Sequence, residues 1–250
     1  MESAVLLLAG FVGWTISSLS GGGGSLLFVA AIGHVAGVRS VAPVAALASL
    51  VASLSRLGLF WKDIDWQVVR WYLPGAMAGS AAGAWAFTQI NAGLLQIVIA
   101  VFLVSTVWQF RLGRAAQSFP MRLPWFIPVS IVSGFTSGLS GASGLLVNPF
   151  YLNYGLLREP LLATRAANSL FIQITKLATY GYLGVLTADS LRSGMIAGAG
   201  ALASISLSKA WLPLLSNTRF RQIAVFVMLA SGGYILWQQR PMLLVLLAPM

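Results

Sequence analysis

Two short stretches bring serine hydroxyls next to glycine: Ser20-Gly21-Gly22-Gly23-Gly24-Ser25 and, 120 positions later, Ser140-Gly141-Ala142-Ser143-Gly144. Glycine carries the largest backbone entropy cost inside a helix, so a helix reaching either stretch is expected to open there. Open backbone presents free N–H groups, and each stretch precedes a short apolar run whose helical N-terminus would point back at it. Free N–H groups, hydroxyls and the partial positive charge of a helix N-terminus together suit an oxyanion. Ser20, Gly21, Gly24, Ser25, Ser140, Gly141, Ser143 and Gly144 are therefore candidate substrate contacts. Asn148, just past the second break, adds a polar group, and Pro149 keeps that short helix irregular. The plainer alternative is that these glycines only let helices approach closely.

Arg56 and Lys176 are the next candidates, since they also stand 120 positions apart, each inside a long apolar run. An ionisable side chain at the centre of a membrane helix costs about 2.5 to 3.5 kcal/mol, which makes it a functional candidate by default. Neither residue is central, however. Arg56 lies four residues from the end of its run and Lys176 seven, so snorkelling to the headgroups is the competing expectation. Asn168 and Gln173 precede Lys176 on the same run, and such a polar face favours a bundle interior over lipid.

Other chemistries lack their residues. Cysteine is absent, histidine occurs once, at His34, and the acids Glu2, Asp63, Asp65, Glu159 and Asp189 all fall at expected segment ends or loops. Without a carboxylate inside a span there are no oxygen ligands for a sodium or metal ion and no proton relay. No nucleophile with a paired base is legible, so no enzyme activity and no cofactor are expected. His34 reads as interfacial.

These candidates must be positioned by membrane helices. The 250 residues are 58% hydrophobic and 8% charged, against about 25% charged in soluble domains. The formal charge of +10 is scattered between apolar runs, which excludes a nucleic-acid partner and leaves a lipid bilayer. Breaks at charges, Gly clusters and Pro give apolar runs at 3–19, 25–37, 41–60, 71–89 and 93–110, then at 125–139, 145–156, 161–183, 190–213 and 220–238. The runs at 25–37 and 145–156 are shorter than the ~17 residues a crossing needs. An all-α bundle follows, with a first repeat over 1–110, a basic linker over 111–124, a second repeat over 125–240 and an apolar tail over 241–250.

Ten residues around the two breaks match at six positions, Gly75-xxx-Gly79 pairs with Gly194-xxx-Gly198, and Gln96-Ile97 pairs with Gln222-Ile223. An odd number of crossings per half, whether five or three, makes the halves inverted repeats with broken or re-entrant helices, an arrangement typical of secondary transporters. Lys62, Arg70, Arg111, Arg114, Arg122, Arg158, Arg219 and Arg221 fall on one side and Arg39, Arg192 and Arg240 on the other. The basic side is expected in the cytoplasm, with both termini outside. Trp61, Trp66, Trp71, Trp211 and Trp237 fit an interfacial belt, and the Gly75-Gly79-Gly83 and Gly194-Gly198 stripes fit close helix packing, within the chain or in a homo-oligomer.

Two glycine-rich breaks each followed by Leu-Leu, the Arg158-Glu159-Pro160 to Ala163-Thr164 stretch and the Asp63-Ile64-Asp65-Trp66 to Pro74-Gly75 stretch together resemble the TauE/SafE family. The resemblance covers essentially the whole chain. It implies a bacterial or archaeal inner-membrane permease that moves a small anion, sulfite or an organosulfur compound, out of the cytoplasm. The family's glycine motifs fall on Gly21 to Gly24 and Gly141 to Gly144, with departures at Ala142 and Ser143. A non-transporting membrane subunit that binds a partner through its small-residue stripes is the alternative reading.

Overall fold

The structure is a computed structural model that describes residues 2–20, 28, 32, 40–86, 104, 119–140 and 146–241. Residues 21–25 and 141–144, and with them Gly21, Gly24, Ser25, Gly141, Ser143 and Gly144, lie outside the described residues, as does His34. The described chain is helical, without strands: α1 (Glu2–Ser20), α2 (Val41–Phe60), α3 (Trp66–Ala86), α4 (Phe126–Ser140), α5 (Asn148–Tyr154), α6 (Arg158–Tyr182), α7 (Ala188–Trp211) and α8 (Asn217–Gln238). Four of them, α1, α2, α7 and α8, are long and apolar enough to cross a membrane.

Local capping sets where several helices begin. Asp65 Oδ1 accepts from the Gln67 and Val68 N–H groups at 3.0 and 3.1 Å, so α3 starts at Trp66 rather than near residue 71, and Arg70 belongs to the helix. Thr187 and Ser190 form a reciprocal capping box that starts α7. Ser216 Oγ accepts from the Arg219 N–H and starts α8 ahead of both its arginines. Polar side chains at an N-cap satisfy donors that a helix start leaves unpaired, so charged residues can stand inside the first turns.

The turns divide between two ends. At one, the Asp65 N–H donates to Thr164 Oγ1 at 2.9 Å and the Arg158 guanidinium donates to the Leu215 carbonyl at 2.9 Å. At the other, Glu2, Ser3, Ser40, Thr187, Asp189 and Arg192 surround a cavity of about 380 Å³. Lys62, Arg122, Arg158 and Arg219 belong to the first end and Arg192 to the second, which matches the grouping read from the sequence.

The second short run does not cross. With seven residues, α5 is about 10 Å long, a third of the ~30 Å hydrocarbon core. Its far end returns to the start of α4: the Phe119 N–H donates to Asn153 Oδ1 at 3.2 Å, and the Phe126 and Tyr154 rings meet edge to face at 5.5 Å. Gly155, at φ 103°, then turns the chain into α6. In the first half, Phe28 packs against Trp14 at 4.9 Å, in one buried cluster with Leu6, Ile32 and Val44.

Helices related by the 120-residue spacing exchange partners. α1 packs on α7, and its counterpart α4 packs on α3; α2 packs on α7, and its counterpart α6 packs on α3; α2 and α6 pack on each other. Glycines make the closest of these contacts, Gly10 and Gly200 between α1 and α7 among them. A Cβ at Gly79 would meet the Ile131 carbonyl and one at Gly83 the Phe135 carbonyl, while one at Gly134 would lie 2.6 Å from the Ala76 carbonyl. Gly194 and Gly198 likewise face Leu47 and Val51 of α2. Small residues let these backbones approach where lipid supplies no hydrophobic drive for association.

Candidate functional site

On α2, Ser49, Ser53 and Arg56 are spaced i, i+4, i+7 and so share one helical face; on α6, Ser169, Gln173 and Lys176 repeat that spacing 120 positions on. Both faces turn inward. Arg56 is 6% exposed and Lys176 0%, so neither side chain snorkels to the headgroups, correcting that expectation. Exposed aromatics take the interfacial places instead, among them Trp61, Trp66, Trp71 and Trp237.

Arg56 reaches the end of α1. Its Nη2 donates to Ser17 Oγ at 3.0 Å and to Ser18 Oγ at 3.1 Å, beside the C-terminal carbonyls that carry the negative end of the helix dipole. Its Nε is buried without a partner. The same side chain lines a cavity of about 50 Å³ together with Trp14, Ser17, Ser49, Ser53, Arg165 and Ser169. That volume holds a few water-sized groups, the scale of a small oxyanion. No carboxylate lines it.

Arg165 enters this cavity from α6 and was not among the candidates read from the sequence. The signal was present, since Arg165 is a charge inside the apolar run 161–183, eleven residues before Lys176. Its Nη1 approaches Asn148 Oδ1 at 3.5 Å, and Asn148 Nδ2 donates to the Ser20 carbonyl at 3.0 Å. Asn148 is therefore a bridge between the end of α1 and Arg165, fully buried, and not part of the cavity lining. One turn from Arg165, Asn168 Nδ2 donates to Tyr151 Oη at 2.8 Å and fastens α5 to α6.

Of the described candidates only Arg56 lines this cavity, while the glycine-rich breaks lie outside the described residues. Ser20 is buried with its hydroxyl donating to the Ile16 carbonyl, and its own carbonyl holds Asn148. Ser140 ends α4. Lys176 stands apart from the cavity; its Nζ donates to Ser137 Oγ at 3.3 Å, the counterpart of the Arg56–Ser17 pair. Ser17, Ser49, Ser53 and Ser169 are the further polar groups that the sequence reading missed, because hydroxyls on ordinary helix faces carry no signal until the crossing of α1, α2 and α6 is known.

The described helices form a bundle with four members able to cross a membrane, buried cations and a small polar cavity, and the family it matches is one of membrane transporters. The chain belongs to the TauE/SafE family: the family model described as Sulfite exporter TauE/SafE matches residues 6–235. No curated protein and no solved structure matches the chain.

Proposed function

We propose that this transporter is a secondary permease that exports a small oxyanion, sulfite or an organosulfur anion, bound between Arg56 and Arg165. The Arg56 guanidinium carries the proposal: it is 6% exposed, leaves its Nε buried and unpartnered, and lines a cavity that Arg165 also lines. A buried and a partly buried like charge sharing one cavity without a carboxylate are costly unless an anion joins them. Guanidinium forks suit planar and pyramidal oxyanions, and the hydroxyls of Ser17, Ser49, Ser53 and Ser169 can satisfy the remaining lone pairs. The family description points to sulfite among such anions.

The two halves act as inverted repeats that rock against each other, with the Lys62 end in the cytoplasm of a bacterial or archaeal cell and both termini outside. The exchange of helix partners and the clustering of basic residues support this reading. The subunit alternative loses its docking surface, because the Gly75-Gly79-Gly83 and Gly194-Gly198 stripes are filled by α4 and α2 of the same chain. Reconstituted vesicles loaded with sulfite test the proposal: faster efflux than from protein-free vesicles is expected, and equal efflux under every proton or voltage gradient would reject it.

A further inference from the structure

Ser49 and Ser169, counterparts at the 120-residue spacing, line the same cavity, one from α2 and the other from α6. The cavity thus straddles the relation between the halves, yet it is served unequally. From the first half it receives Ser17, Ser53 and Arg56, while their counterparts Ser137, Gln173 and Lys176 are shut away from it. Lys176 is fully buried with Ser137 Oγ as its hydrogen-bond partner, and Gln173 leaves Oε1 buried and unpartnered. An ammonium enclosed with one neutral partner and an orphaned amide oxygen one turn away are polar groups prepared for something not present in this state.

The positions of the two cations along the pathway follow from helix direction. α2 ends and α6 begins at the same end of the molecule, so the two helices run antiparallel. Arg56 lies seven residues past Ser49 toward that end, and Lys176 seven residues past Ser169 toward the other, each about 10 Å from its serine.

We propose that Lys176, Ser137 and Gln173 form a second anion station, used when the transporter opens to the opposite side, while Ser49 and Ser169 stay with the anion in both states. In a chain built of two like halves, the state of opposite access is reached when each half takes the conformation of the other. That exchange withdraws Arg56 and Ser53 from the cavity and brings in Lys176 and Gln173, so the anion is passed from a guanidinium to an ammonium. Arg165 has Ala45 as its counterpart and is not replaced, which makes the station near Lys176 the less positive one and the side of release. This inference rests on the transport reading above.

The sequence contains no cysteine, so single-cysteine variants of the full chain report position cleanly. Ser53→Cys, Gln173→Cys and Ser137→Cys are placed in vesicles of known orientation and treated with a membrane-impermeant thiol reagent. Ser53→Cys is expected to react from the Lys62 face. Gln173→Cys and Ser137→Cys are expected to react from the opposite face, roughly ten- to a thousandfold more slowly, as for a minor state held at 0.1–10%. The station is overturned if Gln173→Cys and Ser137→Cys stay unlabelled from the opposite face, or react from the same face as Ser53→Cys, in protein that still transports. Using two probes on the Lys176 side keeps the test decisive if one variant fails to fold. Sulfite transport by the unaltered chain is measured in the same vesicles; two-sided labelling without sulfite transport rejects the substrate and leaves the alternation standing.

Discussion

Arg56 Nη2 lies 3.0 Å from Ser17 Oγ, and the residues 120 positions further on, Lys176 and Ser137, form the same kind of pair at 3.3 Å. In each pair a cation near one end of a long helix reaches a serine three residues before a glycine-rich break. The pairs tie α1 to α2 and α4 to α6, and so fix the helix before each glycine-rich stretch against the helix that carries the cation. Only the Arg56 pair borders the cavity that also contains Arg165.

Replacing Arg56 or Arg165 by Lys should keep the charge but lose the fork. A hydrogen bond to a charged group is worth about 1.5 to 3 kcal/mol, so the apparent affinity for sulfite should fall roughly ten- to a hundredfold in either variant. Initial transport rates over a range of sulfite concentrations check this.

Asn148→Leu should act indirectly. It removes the bridge from the Ser20 carbonyl to Arg165 and takes one hydrogen bond from each. The expected result is weaker sulfite binding together with a lower unfolding temperature, whereas Asn148→Asp should retain an acceptor for Arg165 and bind sulfite less well still, because it adds a negative charge beside the cavity. Transport kinetics and thermal unfolding in the same detergent separate the two effects.

Close packing of α3 on α4 makes Gly79→Ala costly, since the new Cβ falls on the Ile131 backbone carbonyl and the helices must separate. Overpacking of this kind costs about 1 to 3 kcal/mol. Gly58→Ala, where nothing lies within 4 Å, should instead hold or gain stability, by up to about 1 kcal/mol from helix propensity. Thermal unfolding in detergent should fall for Gly79→Ala and hold or rise for Gly58→Ala.

Sidedness can be read at two exposed helix ends. Leu214 is 80% exposed at the Lys62 end and Tyr182 is 92% exposed at the other. In intact cells an impermeant thiol reagent should label Tyr182→Cys directly and Leu214→Cys only after permeabilisation. The reverse pattern would invert the proposed orientation.

Much of the bundle was legible because hydropathy alone marks a membrane helix: the runs at 3–19, 41–60, 190–213 and 220–238 fall within a few residues of α1, α2, α7 and α8. The starts of α3 and α6 were placed late because Arg70 and Arg158 look like loop charges, whereas Asp65 and the Arg158 contacts hold them within helices. Arg56 and Lys176 stood out as charges in apolar runs, but the distance to a segment end says nothing about which way a side chain points, and both turn inward. Arg165 obeyed the same rule and was passed over. Ser49 and Ser169 could not be chosen from the sequence at all, since their meaning comes from the crossing of α2 and α6, a tertiary fact without local signature.

The central claim is that the cavity between Arg56 and Arg165 binds the transported anion. Equilibrium binding of radiolabelled sulfite to the purified chain and to Arg56→Gln, Arg165→Gln and the double variant tests it most directly. Saturable binding by the unaltered chain, weakened in each single variant and lost in the double variant while all remain folded, is the predicted result. Equal binding by the unaltered chain and the folded double variant would contradict it.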